Sequence, residues 1–315
     1  MNDEQKEVLQ LVKDGVINVD EAERLLNALR EGAKKRSESS DPAGNGLSSV
    51  FTSIRENLSG IGPMIRDSLA EIGPAISNAF QDQEFAFNPD EFTEIDSTAE
   101  FELQPGSKLL VISDRHDTEE VRIEAYAGSK CCISSSDARP RIFQKGNANV
   151  VKCRDGSVSL KVPENISQLG IKIVLGNITV KSSPFEANLK TMNGNIEVSS
   201  ISGKLTAKTM NGNIRLNLTD NWNSELSGVT MNGDVSCMLS DKTSADLNLS
   251  TMAGKIEVDH FAKVNISSAD FPFRKLNGII GENPTAKIRL KTMSGNVCLK
   301  KTAESAGKTS DGAAV

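Results

Sequence analysis

The sequence predicts a mainly β protein, a β-solenoid (β-helix-like) repeat domain preceded by a small α-helical module. The phrase Leu189-Lys190-Thr191-Met192-Asn193-Gly194-Asn195-Ile196-Glu197-Val198 returns at 207–216, 228–237, 249–258 and 290–299, with looser copies at 151–160 and 171–180. Its glycines, Gly156, Gly176, Gly194, Gly212, Gly233 and Gly254, are 20, 18, 18, 21 and 21 residues apart, and the next clear member is Gly295. That is the period of a solenoid rung. The helical module is predicted by apolar residues three and four apart within the first 32 residues.

Each copy reads as strand, turn, strand. Before the glycine, Ala187, Leu189 and Thr191 alternate with Asn188 and Lys190, and Ala286, Ile288, Leu290 and Thr292 with Lys287, Arg289 and Lys291. A period of two is a strand with one buried face. After the glycine the alternation resumes with Ile196, Ile214, Val235, Ile256 and Val297, each followed two residues on by another apolar residue. Asn-Gly supplies the positive φ of a turn at little steric cost.

One Asn-Gly between alternating runs also describes an antiparallel hairpin, so a meander is the competing reading. Repetition favours the solenoid, because coiling at a nearly constant period stacks Thr on Thr and Ile on Ile or Val. Met192, Met210, Met231, Met252 and Met293 are expected in the core, where an unbranched side chain fills gaps at the bend. The asparagines beside them suit the turn and can also form a ladder between rungs.

In chain order, residues 1–32 form a helical hairpin. Val8, Leu11 and Val12 stripe the first helix, Gly15 caps it, and Asn18 with Glu21 has capping-box spacing. Ala22, Leu25, Leu26 and Leu29 line the second. The stretch LQLVKDGVINVDEAERLLNALREG resembles the SHOCT-like bihelical module that begins bacterial proteins of the YvlB and LiaX type. The TMNGNIEV repeats resemble the adhesin-type β-strand-repeat domain that follows it in that family. The resemblance implies an association with envelope stress and antimicrobial-peptide responses, and it brings no active site.

Residues 33–46 are charged, Ser- and Gly-containing and aperiodic, and read as a flexible linker. The amphipathic helical segment, 47–83, contains an eleven-residue repeat: IRENLSGIGPM at 54–64 is echoed by IRDSLAEIGPA at 65–75. Ile54, Leu58, Ile61, Ile65, Leu69, Ile72 and Ile76 fall three or four apart and make one apolar stripe, which Pro63 and Pro74 interrupt. The stripe suits packing against the solenoid or a second copy. Peripheral membrane contact through 47–80 is the alternative, weakened because Glu56, Asp67 and Glu71 outnumber Arg55 and Arg66.

The solenoid is assigned to 84–300. Phe85, Phe87, Phe92 and Phe101 are expected to cover its first rung, since an open end exposes strand edges. Residues 261–284 are expected to bulge as a loop or to hold one degenerate rung around Leu276-Asn277-Gly278. Residues 301–315 read as a disordered tail.

Composition narrows the function. The formal net charge is −6, and 81–104 holds eight acids without Lys or Arg. No basic stripe is interleaved with aromatics, so no nucleic-acid partner is expected. Five cysteines without a CxxC pair, and two histidines, His116 and His260, argue against a metal site and suit a reducing cytoplasm. The first residues have no basic start or apolar run of a signal peptide, and no apolar run reaches membrane-spanning length. No catalytic residue or cofactor is assigned, and Lys190, Lys208 and Lys291 are read as a solvated face.

The expectation is therefore a non-enzymatic, cytoplasmic scaffold, peripheral at the membrane at most, that meets a protein partner or a second copy. A self-assembling solenoid resembling bactofilin filaments is the alternative. A β-helical polysaccharide enzyme is less favoured, because Glu197, Arg215, Ser236, Glu257 and Cys298 share one outward position and form no acid or base cluster.

Overall fold

In a computed structural model of the chain, the described residues are 87–95, 100–113, 118–136, 140–153, 156–220, 222–259, 264–270 and 274–302. The expected helical hairpin, the linker, the amphipathic stripe, Phe85, both histidines and nearly all of the tail lie outside them. Among the described residues, a 3-10 turn at Pro89–Glu91 is followed by strands alone. The first are β1 (Thr93–Ile95), β2 (Glu100–Glu102), β3 (Lys108–Ile112), β4 (Thr118–Tyr126), β5 (Lys130–Ser135), β6 (Arg141–Lys145) and β7 (Ala148–Lys152). Next come β8 (Gly156–Pro163), β9 (Gln168–Leu175), β10 (Asn177–Val180), β11 (Glu186–Asn193), β12 (Ile196–Ile201), β13 (Leu205–Asn211) and β14 (Ile214–Leu218). The remainder are β15 (Glu225–Asn232), β16 (Val235–Leu239), β17 (Ala245–Ala253), β18 (Ile256–Val258), β19 (Val264–Asp270), β20 (Arg274–Ile280), β21 (Ala286–Ser294) and β22 (Val297–Lys301).

These strands form two sheets, in the orders β1-β6-β7-β3-β9-β11-β13-β15-β21-β17-β20-β19 and β18-β22-β16-β14-β12-β10-β4-β8-β5-β2. Each sequence repeat gives one strand to each sheet, so a rung has two strands, as β11 and β12 show. The repeat strands pair in parallel with little slippage: Thr191 faces Thr209, Thr209 faces Thr230, and Ile196 faces Ile214. A parallel ladder between consecutive rungs rules out the meander.

The core lies between the sheets. Leu189, Ala207, Ile196, Ile214, Val235 and Val297 are fully buried there, while Ile256, on the short edge strand β18, is only partly so. The methionines lie elsewhere. Each follows the inward threonine by one residue and so falls on the opposite face. Met192 and Met210 are half-buried, and Met231, Met252 and Met293 pack with Val229 in a cluster apart from the core.

Gly176, Gly194, Gly212, Gly233, Gly254 and Gly295 stand at the corners between sheets, but the turn alone does not explain them. A Cβ on Gly194 would lie 1.9 Å from the carbonyl oxygen of Gly176, and one on Gly212 would lie 2.0 Å from that of Gly194. Backbone meets backbone at this corner, so each glycine is required by its neighbouring rung as well as by its own φ.

Rungs do not stack in chain order. β21 lies between β15 and β17, and β22 between β16 and β18. The glycine column accordingly runs Gly212, Gly233, Gly295, Gly254. At the other end β3 lies between β7 and β9, and β4 between β8 and β10. Residues 261–284 are thus neither a simple bulge nor a degenerate rung: β19 and β20 form a hairpin that pairs antiparallel with β17. β6 and β5 cap β7 and β8 in the same antiparallel way.

The aromatics divide between two tasks. Phe101 enters the core on β2. Phe87 and Phe92 instead pack with Phe143, Ile112, Val150 and Leu110 on the outer face of the first sheet, with Phe87 in edge contact with both other rings.

Ile214→Ala leaves a cavity between the sheets and is expected to cost about 2–5 kcal/mol. Exposed Arg215→Ala should cost at most about 0.5 kcal/mol. Gly212→Val drives a branched side chain into the Gly194 carbonyl and should cost more than Arg215→Ala. Urea melts of the three variants check the order, and equal small losses for Ile214→Ala and Arg215→Ala would contradict the buried face.

Candidate interaction surface

Three hydrogen-bond columns run along the stack at the glycine corner. The hydroxyl Oγ1 of Thr191, Thr209, Thr230, Thr292 and Thr251 donates to the carbonyl of Gly176, Gly194, Gly212, Gly233 and Gly295 at 2.7–3.1 Å. Asn177 Oδ1 accepts from the backbone N–H of Asn195 at 2.9 Å, Asn195 from Asn213 at 2.8 Å, and Asn213 from Asp234 at 2.8 Å. Asp234 then accepts from Asn296 at 2.7 Å, and Asn296 from Lys255 at 2.9 Å. Outside these, the Asn211 amide donates to Asn193 at 2.7 Å and the Asn232 amide to Asn211 at 2.9 Å. The corner polar groups are largely occupied in holding rungs together.

The opposite corner is closed by hydrophobic residues. Phe185 and Trp222 are buried, and Trp222 Nε1 donates to the Gly203 carbonyl at 3.1 Å. The single tryptophan is therefore structural.

The outer faces of the two sheets differ. On the second, Glu197, Arg215, Ser236, Cys298 and Glu257 share one register row of mixed chemistry. On the first, the pairing places Lys172, Lys190, Lys208, Val229, Lys291, Ser250 and Lys275 side by side in that order. The methionine column runs beside this row. The lysines do not form the expected solvated face, since Lys190 is 3% exposed and Lys208 and Lys291 are half-buried. Outward-facing Val229 and Ser250 are likewise buried, and Ser250 Oγ and Asn248 Oδ1 lack hydrogen-bond partners. Sequence alternation located both rows, but their neighbours across β21 required the rung order.

Charged side chains cluster at the capped end. Glu94 pairs with Arg141 at 2.5 Å and Glu91 with Lys145 at 2.6 Å, and the bond from Lys145 holds the Glu91 carboxyl below its usual range. A cleft of about 390 Å³ at this end is lined by Ile95, Phe101, Glu102, Gln104, Gln144 and Asn149 among others. Among the described residues no group of three or more His, Cys, Asp or Glu is placed to hold a metal ion.

All five cysteines are free thiols; Cys131, Cys153 and Cys237 are buried, while Cys132 and Cys298 are partly accessible. Burial pushes the thiols of Cys131 and Cys153 up to about 12 and raises that of Cys237 as well.

The fold and this surface define a two-sheet β-repeat protein. Residues 144–300 match the Toastrack DUF4097 family model, and residues 3–34 match a SHOCT-like domain. The chain thus carries a SHOCT-like domain at its N-terminus and a Toastrack domain downstream. The stack extends beyond the Toastrack match, because β3 and β4 sit among its rungs. A crystal structure of a candidate cell adhesion protein from Clostridium sporogenes aligns with 67% of this chain and 100% of its own, at 11% identity and a TM-score of 0.41. No curated protein matches the chain.

Thr209→Val keeps the shape but removes the bond to Gly194 and is expected to cost about 1–3 kcal/mol, with Thr209→Ser closer to wild type in thermal melts. Native protein should label at Cys132 and Cys298 only, and all five thiols should label after denaturation without reduction. The buried thiols favour the folded state below their unfolded values, near pH 8.5. That contribution is lost as pH rises towards 12, so urea midpoints should fall across this window and fall less in Cys153→Ala.

Proposed function

We propose that the chain is a non-enzymatic scaffold of the bacterial envelope-stress response, which binds a protein partner through the outer surface of its β-stack. The observation that carries this reading is the first sheet's outer face, where methionine and lysine form adjacent columns over successive rungs. Methionine adapts to an irregular partner surface, and a parallel stack holds such columns at a fixed spacing of about 4.8 Å. The order of modules, SHOCT-like then Toastrack, supports placing it in the envelope-stress setting that the sequence resemblance implied. In this reading the protein works from the cytoplasm and is peripheral at the membrane when engaged.

A filament built end to end is the second reading. It would need terminal rungs with open parallel edges, whereas β19 and β20 close one end of the first sheet and β6 and β5 cap the outer rung at the other. Short edge strands and antiparallel caps oppose edge-to-edge growth, which favours the scaffold.

Separating cytosol, membrane and surface fractions before and after treatment with an envelope-active peptide tests the proposal. The protein is expected to move from cytosol to the membrane fraction on treatment, and deletion of its gene should alter sensitivity to the peptide. An unchanged distribution together with unchanged sensitivity would overturn the envelope-stress role.

A further inference from the structure

We propose that the outer face of the first sheet is the seat of the chain's own amphipathic segment, 47–80, with the apolar stripe lying along the methionine column. Met192, Met210, Met231, Met293 and Met252 occupy successive rungs in that spatial order. Val229 is buried and Lys190 is 3% exposed although both point away from the core. Among the described residues, no strand layer lies over these positions.

Three observations favour this occupant over a foreign one. The first is continuity. Phe87 packs on this same outer face, against Phe143 of β6 and in the cluster containing Val150 and Leu110. The stripe segment ends at Phe80, so seven residues, about 25 Å at full extension, tether it to the face.

The second is length. Two eleven-residue units, as helices, measure about 33 Å together. Beyond β7 and β3, whose outer residues Phe87 and Phe92 cover, the six rungs from β9 to β17 span five intervals, or about 24 Å at 4.8 Å each, which takes one unit and part of the other.

The third is chemistry. Ile54, Leu58, Ile61, Ile65, Leu69, Ile72 and Ile76 make one apolar stripe, which requires a cover in water, and the methionines offer a deformable one. The segment's three acids and two arginines give it a sign opposite to the lysine row. This inference concerns contacts within one chain and does not depend on the envelope-stress reading; a partner that binds the first sheet's outer face has to displace the segment from it.

The test uses full-length protein and the oxidation of exposed thioethers to sulfoxides by dilute peroxide, followed by mass spectrometry. In wild type, Met192, Met210 and Met231 should oxidise several-fold more slowly than Met238, which lies 41% exposed on the second sheet. Leu58→Glu with Leu69→Glu should bring their rates up towards that of Met238 while leaving the thermal melting of the β-stack unchanged. In the converse variant, Met210→Glu with Met231→Glu, amides of 47–80 should exchange hydrogen faster, whereas Arg215→Glu on the other sheet should leave them unaffected.

Equal methionine rates in wild type and the stripe variant would overturn the proposal. So would protection that disappears on dilution, which assigns the face to a second copy. Protection that appears only with vesicles of phosphatidylglycerol and phosphatidylethanolamine would assign the stripe to a membrane and overturn it as well.

Discussion

The carbonyl oxygen of Gly176 occupies the space that a side chain on residue 194 would need, 1.9 Å from an ideal Cβ, and the same approach recurs up the corner. Parallel pairing on both sides of a bend brings the bends themselves into register. Only a residue without a Cβ lets successive bends close to hydrogen-bonding distance, as when the Gly194 N–H donates to the Asn211 carbonyl at 2.9 Å. The threonine hydroxyl then reaches the glycine carbonyl of the next rung, and the asparagine side chain reaches a backbone N–H. Both bonds satisfy polar groups that a bend would otherwise leave unmatched.

This corner also makes a rung interchangeable. Because Gly295, Thr292 and Asn296 reproduce the same bonding pattern, the last repeat fits between the rungs of β15 and β17 as well as a sequential repeat would. The benefit falls at the ends. Placing β21 inside the stack leaves β17 with a free edge that β20 can pair antiparallel, and β7, displaced outward by β3, is covered by β6. A strictly sequential winding would end in bare parallel edges, which invite pairing with other chains.

With antiparallel strands at both ends of the first sheet and at one end of the second, and the corner asparagines committed to neighbouring rungs, surface chemistry is concentrated on the sheet faces. The second sheet presents an outward row of mixed, variable residues. The first presents methionine and lysine columns, the aromatic cluster around Phe87 and two buried polar atoms without partners, on Asn248 and Ser250. A rigid stack with one specialised face suits a binding role, and it connects the structural account with the proposed scaffold.

Sequence alone determined the repeat, the strands on either side of each glycine and the inward residues, since a period of two needs no knowledge of the partner strand. Leu189, Ile196, Ile214 and Val235 could be placed in a core on that ground, and the Asn ladder was legible as a turn column. The methionines were misplaced because their bulk and apolarity suggested a core, whereas strand alternation after Thr191 sends them outward. Tertiary structure decided the two strands per rung, the insertion of β21 and β3, and the conversion of 264–280 into a capping hairpin. Those choices depend on which edge each strand meets, and near-identical repeats offer near-identical edges. The local sequence therefore specifies a rung, but only the packed chain specifies the order in which the rungs are stacked.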